Sequence, residues 1–268
     1  MKSAVVAGAN GFLGSAIIKA LIANGTKVTA IYHANSENIP AEATKMTATA
    51  FFDSKLHPDC IFLAIGNYAN THAELLAMNE TLYQFVQQCP ASRIIYISST
   101  NVYGIHKETI TEQSAYNNPA LYALSKLSGE FIVSAAKSHA IMRLTYIYGP
   151  GISNSSFLPQ VIKSAKTTGN ITLFGNGARM QDYIYIDDAV ALCLAAAGKN
   201  VNDMYLCATG KSVSNKEAAE IIAAQTGCTV TYTGEDTGQS FHFSPEISLA
   251  KLNYFPKMPF AEGLKKML

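Results

Sequence analysis

The chain has 268 residues, of which 49% are hydrophobic and 15% charged, and its formal net charge is +1. That length serves one large α/β unit or a main domain with a smaller lobe, each able to bury a core. So apolar and so nearly neutral a composition excludes a disordered chain and a nucleic-acid-binding surface, which leaves a small molecule as the default partner.

The five cysteines are odd in number, widely spaced and contain no C-x-x-C pair, so reduced thiols in a cytoplasmic protein are expected. Lys2 precedes an apolar run as in a signal peptide, but glycines and Asn10 interrupt it before an apolar core forms. The longest apolar stretch, Ala189 to Gly198, falls short of the roughly 20 residues that span a bilayer. No membrane insertion is expected.

The chain opens on the strand-like run Ser3 to Ala7, then Gly8, Gly11 and Gly14 in "VVAGANGFLGSA". Leu13, Ala16, Ile17, Ala20 and Leu21 share one face of a first helix that ends at Asn24-Gly25. Further strands are predicted at Lys27 to Tyr32, Cys60 to Ile65, Arg93 to Ser98 and Ala140 to Tyr146. Most are apolar throughout, as strands covered on both faces are. Two long helices fall between them, at Ala69 to Cys89 and at Pro119 to Lys137, the second with Asn118 as cap and Pro119 in first position. This βαβα alternation predicts an α/β fold with a Rossmann-like, doubly wound parallel sheet.

After Gly149-Pro150-Gly151 the regular alternation stops, and Ser214 with Glu217 forms a capping box before "AAEIIAAQTG". Residues 1–149 plus about 182–210 are read as a dinucleotide-binding domain. Residues about 150–181 plus 211–268 are read as a smaller substrate lobe over the carboxyl ends of the strands.

A glycine-rich turn from strand to helix aims backbone N–H groups and a positive helix end at one point, which suits a pyrophosphate; it also suits any tight crossing. The end of the second strand reads "IYHANSEN", with His33 where an acid would clamp the ribose of NAD. Its absence leans toward NADP, with His33 as a hydrogen-bond donor to the extra phosphate or a solvated loop residue. In "ALYALSKLSGE" Tyr122 and Lys126 stand four apart on a predicted helix, hence on one face. A neighbouring ammonium favours the ionised phenol and makes tyrosine usable as acid or base. Tyr103 and Lys107 repeat the spacing, but Gly104 places that pair in a loop. The six histidines show no ligand spacing, so no metal site is expected.

With these pieces in order the chain resembles the extended short-chain dehydrogenase/reductase family, in its nucleotide-sugar epimerase and dehydratase branch. The motifs are G-x-x-G-x-x-G, "SSTNVYG", "YALSK", "RLTYIYGPG" and "GNGARMQDYIYIDDA". The resemblance implies a Ser-Tyr-Lys triad of Ser99, Tyr122 and Lys126. It implies an NAD(P) site of Gly8, Asn10, Gly11, Phe12, Leu13, Gly14, His33, Asp53, Ala64, Asn79 and Ser98, besides Tyr122 and Lys126. Asp53 also reads as a plain turn acid, and Asn79 as an exposed helical amide. Ser99, Thr100, Phe157, Leu158 and Arg179 are implied for the nucleotide sugar. The family's usual arginine before Asp182 is replaced by Gln181 here, with Arg179 two residues away.

The dehydratases of the branch carry an Asp-Glu pair after the catalytic Ser or Thr, where this chain has Thr100-Asn101. The resemblance therefore implies an epimerase first, and an NADPH-dependent reductase of a keto-sugar or other small carbonyl second. A non-catalytic dinucleotide-binding sensor is the alternative from another class. A homodimer packed through the two long helices is also implied.

Overall fold

The computed structural model describes residues 1–66 and 71–268. In chain order the elements are β1 (Ser3–Ala7), α1 (Phe12–Ala23), β2 (Lys27–Tyr32), β3 (Thr44–Thr47), α2 (Ala48–Asp53), β4 (Cys60–Leu63), α3 (His72–Gln88), β5 (Arg93–Ser99), a 3-10 turn (Thr100–Tyr103), α4 (Leu121–Ser134) and β6 (His139–Leu144). There follow β7 (Tyr146–Tyr148), α5 (Phe157–Thr168), β8 (Asn170–Phe174), β9 (Met180–Tyr185), α6 (Ile186–Ala197), β10 (Asp203–Cys207), β11 (Ser212–Ser214), α7 (Asn215–Thr226), β12 (Thr229–Thr233), α8 (Glu246–Leu252) and α9 (Phe260–Lys265).

Seven strands form one parallel sheet in the order β3-β2-β1-β4-β5-β6-β10. The chain builds outward from β1 to β3, returns to β4 on the other side of β1 and builds outward again. That reversal opens a crevice at the carboxyl ends of β1 and β4, where such sheets bind ligands. Alternate residues of each strand feed opposite faces. Ala4, Val6, Phe62 and Ile95 pack with Ile17, Ile18 and Leu21 of α1 and Leu192 and Cys193 of α6. Val5, Leu63, Ile94 and Tyr96 pack under Phe51 of α2, Leu82 and Phe85 of α3, and Val133 of α4.

Besides the main sheet there are the sheet β11-β9-β7 and the parallel pair β12-β8. The expected strand Ala140 to Tyr146 is therefore two strands in two sheets. Thr145 makes the break: its N–H donates to Cys207 O (3.1 Å) and its hydroxyl to Asp182 O (2.9 Å), which hands the chain from β6 to β7. β7 and β9 pair with each other, outside the main sheet, and α6 follows directly on β9 and packs against the main sheet. Asp188 on α6 ties down the C-terminal segment, accepting from Tyr254 Oη (2.7 Å), Lys257 N (2.9 Å) and Met258 N (2.9 Å).

Two helix starts also differ from the sequence reading. Asn118 does not cap α4; it takes a left-handed φ of 49°, which asparagine tolerates, because Asn117 N is committed to Tyr103 O (2.8 Å). Pro119 stays outside the helix, Ala120 is its N-cap, and the helix ends at Ser134 rather than Lys137. Thr71 caps α3, accepting from Glu74 N (3.3 Å) and donating to its carboxylate (2.5 Å). The expected first residues of that helix, Ala69 and Asn70, lie outside the described residues.

Candidate active site

The glycine turn is forced by backbone contacts. A Cβ on Gly8, whose φ is +80°, would sit 2.4 Å from Ala64 O, and one on Gly14 would sit 2.1 Å from Gly8 O. Only glycine lets β1, the end of β4 and the start of α1 meet so closely. Gly11 caps α1 without a side-chain acceptor, so the first-turn N–H groups and the positive helix end face the crevice between β1 and β4. This cradle fits a dinucleotide pyrophosphate. Asn10 is already engaged: its Oδ1 accepts from Asn38 N (2.8 Å) and its carbonyl from Asn38 Nδ2 (3.1 Å), which straps the loop after β2 over the turn. A groove of about 1110 Å³ runs along α1 between that loop and Pro150, Gly151 and Ser153.

The remaining residues expected at the cofactor fall into two groups. Ala64 stands at the crevice, its N–H on Ala7 O (2.9 Å), and Phe12 lies half-buried beside Gly149. Asn79 Oδ1 on α3 is buried and has no hydrogen-bond partner among the described residues. By contrast, the Leu13 side chain turns into the core and leaves only its backbone for a ligand. His33 is exposed just after β2, and Asp53 is the exposed last residue of α2.

Tyr122 and Lys126 lie in the first two turns of α4. A Cβ placed on Gly66, past the end of β4, would be 3.5 Å from Lys126 Nζ and 3.9 Å from Tyr122 Oη. The two functional atoms thus converge on one point at the crevice. Lys126 Nζ donates to Ile65 O (2.6 Å) and Ile97 O (2.9 Å). Burial brings its pKa down to about 7, with Glu130 pulling the other way. Ser99 ends β5, half-buried, and its Oγ accepts from Asn101 N (3.2 Å). Thr100 follows it, buried in the 3-10 turn. Tyr103 is fully buried, and Lys107 is exposed in the loop.

The Ser98 hydroxyl, at the end of β5, is already engaged. It donates inward to Glu130 Oε1 (2.5 Å), and the same carboxylate accepts from Arg143 Nε (2.9 Å) and Nη2 (2.6 Å). Glu130 and Arg143 lie at the ends of the quoted motifs "ALYALSKLSGE" and "RLTYIYGPG" and carry no role in the sequence reading; the signal for Glu130 is its place one helical turn beyond Lys126. Among the described residues no cluster of His, Cys, Asp or Glu could hold a metal ion.

A family model described as the NAD dependent epimerase/dehydratase family matches residues 4–208. The chain belongs to that family. A curated relative, the low-salt glycan biosynthesis protein Agl12 of Haloferax volcanii, is 25% identical over 199 residues, 69% of this chain and 64% of the relative. The chain therefore spans less than two thirds of that protein's length. A UDP-N-acetylglucosamine 4-epimerase from Methanobrevibacter ruminantium, solved with UDP-N-acetylmuramic acid, superposes with a TM-score of 0.88 at 23% identity over 99% of this chain and 96% of that one. MoeE5, solved with UDP-glucose and NAD, gives 0.86 at 20% identity over 99% and 97%.

Around Asp182, Gln181 and Arg179 are placed differently. Gln181 is buried, donating to Asn215 Oδ1 (3.3 Å) and accepting from Tyr183 Oη (3.0 Å). Arg179 lies two positions back, just before β9. It is partly exposed, donates to Gln239 O (3.2 Å) and stands 4.0 Å from Asp236. Asp182 on the opposite face is fully buried and bound by Thr209 N and Oγ1, both at 2.9 Å, while burial raises its pKa. Phe157 opens α5 half-buried, whereas Leu158 is a core residue and offers no surface to a ligand.

Proposed function

We propose that the protein is an NAD(P)-dependent enzyme of nucleotide-sugar chemistry, and that its reaction is epimerisation at a sugar carbinol. The observation that carries this reading is the convergence of Tyr122 Oη and Lys126 Nζ on Gly66, beside the glycine cradle. When bound, the dinucleotide supplies the hydride acceptor and donor. Gly8, Gly11, Gly14, Phe12, Ala64 and Asn79 would hold it. Tyr122 exchanges a proton with the reacting oxygen, Ser99 donates a hydrogen bond to that oxygen, and Lys126 favours the ionised phenol. Thr100 lines the same turn, while Phe157 and Arg179 face the nucleotide side, the guanidinium suiting a diphosphate. Dehydration is disfavoured because Thr100 and Asn101 supply no additional acid or base.

A second reading, an NADPH-dependent reductase, is favoured by His33 and by the absence of an acid at the end of β2. Identification of the small molecules released on denaturing the purified protein separates the two. Retained NAD(H) near one equivalent supports the epimerase; empty protein that prefers NADPH to NADH supports the reductase. Tyr122→Phe should keep cofactor affinity and lose at least ~100-fold in turnover. Unchanged turnover refutes the triad.

The assembly we propose is a homodimer through α3 and α4. These helices pack side by side and expose Leu76 and Tyr83 on one, Leu124 and Phe131 on the other, each pair seven residues apart and so on one stripe. Light scattering should report a dimer that Phe131→Glu dissociates. A cytoplasmic site completes the proposal: all five cysteines are free and four are buried, and among the described residues no helix is long and apolar enough to cross a membrane.

A further inference from the structure

Next to Tyr122 and Lys126 lies a buried polar cluster that the proposed chemistry leaves unused. Glu130 sits four residues after Lys126 on α4. Ser98 and Arg143, directly opposite each other across β5 and β6, both donate to its carboxylate. Arg143 is held in turn. Its Nη2 donates to Tyr116 Oη (2.5 Å), and its guanidinium lies 4.8 Å from the Tyr103 ring centre and 5.2 Å from that of Tyr116.

A buried ion pair of this kind adds little net stability, because removing both charges from water costs about as much as their attraction returns. Its position next to Lys126 gives it another use. Lys126 is 3% exposed, and its ammonium is held by two backbone carbonyls with the Tyr96 ring 5.2 Å away; among the described residues no carboxylate bonds it directly. Glu130 stands one turn beyond Lys126 on α4, and its carboxylate is bonded by Ser98, the neighbour of the Ile97 carbonyl that holds the ammonium, so its negative charge favours that cation.

We propose that Glu130 is the positioning residue of this site, supplying the counter-charge that keeps the Lys126 ammonium in its slot and, through Ser98, fixing the end of β5 that carries Ser99. The inference rests on reading Tyr122 and Lys126 as the acid/base pair. Among the described residues, the titratable and charged groups that face Lys126 and Glu130 are Tyr122 on α4, Tyr96 on β5 and Arg143 on β6. Tyr103 on the 3-10 turn and Tyr116 on the following loop lie beyond Arg143, with Glu112 acting on Tyr103.

The test uses the full chain labelled with 13C-lysine, without cofactor or substrate, so that its failure is distinct from failure of the proposed reaction. The Lys126 Cε resonance, assigned by its loss in Lys126→Arg, is titrated in wild type and in Glu130→Gln. Loss of a neighbouring anion should lower the midpoint by about one pH unit. A purely structural role predicts the opposite sign, because loosened packing admits water and moves the midpoint up toward the ordinary lysine value near ~10.4. An unshifted or raised midpoint overturns the proposal. If Glu130→Gln does not fold, Glu130→Asp keeps the charge and draws it back by one methylene: an unchanged or slightly lowered midpoint is expected, and a raised one overturns the proposal.

Discussion

Gly14→Ala tests whether the glycine turn exists for close packing. The added methyl would lie 2.1 Å from Gly8 O, 2.9 Å from Gly8 C and 3.2 Å from Ala9 Cα. All three are backbone atoms, so no side chain can swing aside and α1 must shift by on the order of 1 Å. Overpacking of this kind costs about 1–3 kcal/mol. Because backbone is struck, the upper part of that range applies, and about 1 kcal/mol returns from alanine's better helix propensity. A net loss of about 2 kcal/mol should lower Tm by about 4–8 °C at this chain length. The same shift displaces the first turn of α1 from the pyrophosphate, so NADH affinity should fall at least ~10-fold, equivalent to about 1.4 kcal/mol. Gly25→Ala is the control: its φ is +74° with nothing within 4 Å of the new Cβ. It should cost about 1–2 kcal/mol of backbone strain and leave binding intact. Thermal melts and NADH fluorescence titrations read both quantities. A Gly14→Ala protein with wild-type Tm and affinity would refute the packing argument.

Asp188→Ala leaves three donors from the C-terminal segment unpaired; a loss of about 3 kcal/mol and new protease cleavage between residues 253 and 260 are expected, and an unchanged digestion pattern would show that α9 docks without it. Lys126 gives a pH dependence whose sign follows from its pKa being lowered to about 7 by burial. Between about pH 7 and pH ~10.4 the unfolded chain holds a proton that the native state has lost, so stability contributed by this group rises with pH, by a few kcal/mol in total. Denaturant curves of Lys126→Met should lack that rise, and parallel curves for the two proteins would contradict the burial argument. Arg93→Met removes three hydrogen bonds, to Ala196 O, Ser138 Oγ and Val201 O, each at 3.0 Å. Their loss should cost about 2–4 kcal/mol in urea unfolding, because the partners lie in three different segments.

Much of the main sheet was legible because parallel strands buried on both faces read as continuous apolar runs: β1 and β2 match the predicted spans residue for residue. The capping box at Ser214 was equally local, and Ser214 Oγ accepts from Glu217 N at 3.0 Å. β3 and α2 escaped notice because four and six residues are too short to show a period. The break at Thr145 was hidden for another reason: "IMRLTYIY" is strand-like throughout, and only its bonds to Cys207 and Asp182 divide it.

The same distinction governs the site. Spacing alone set the glycine turn, the helical register of Tyr122, Lys126 and Glu130, and the absence of an acid after β2, because each depends on residues within one or two turns. Which groups meet was decided elsewhere. Ser98 and Arg143 are 45 positions apart in sequence yet oppose each other in register, so Glu130 can gather both. Gly66 meets Lys126 only because β4 and α4 converge at the crevice. Leu158, placed with the substrate by sequence order, is drawn into the core by the apolar face of α5. Local chemistry fixes what a segment can offer, but the direction in which a side chain points depends on contacts distant in sequence.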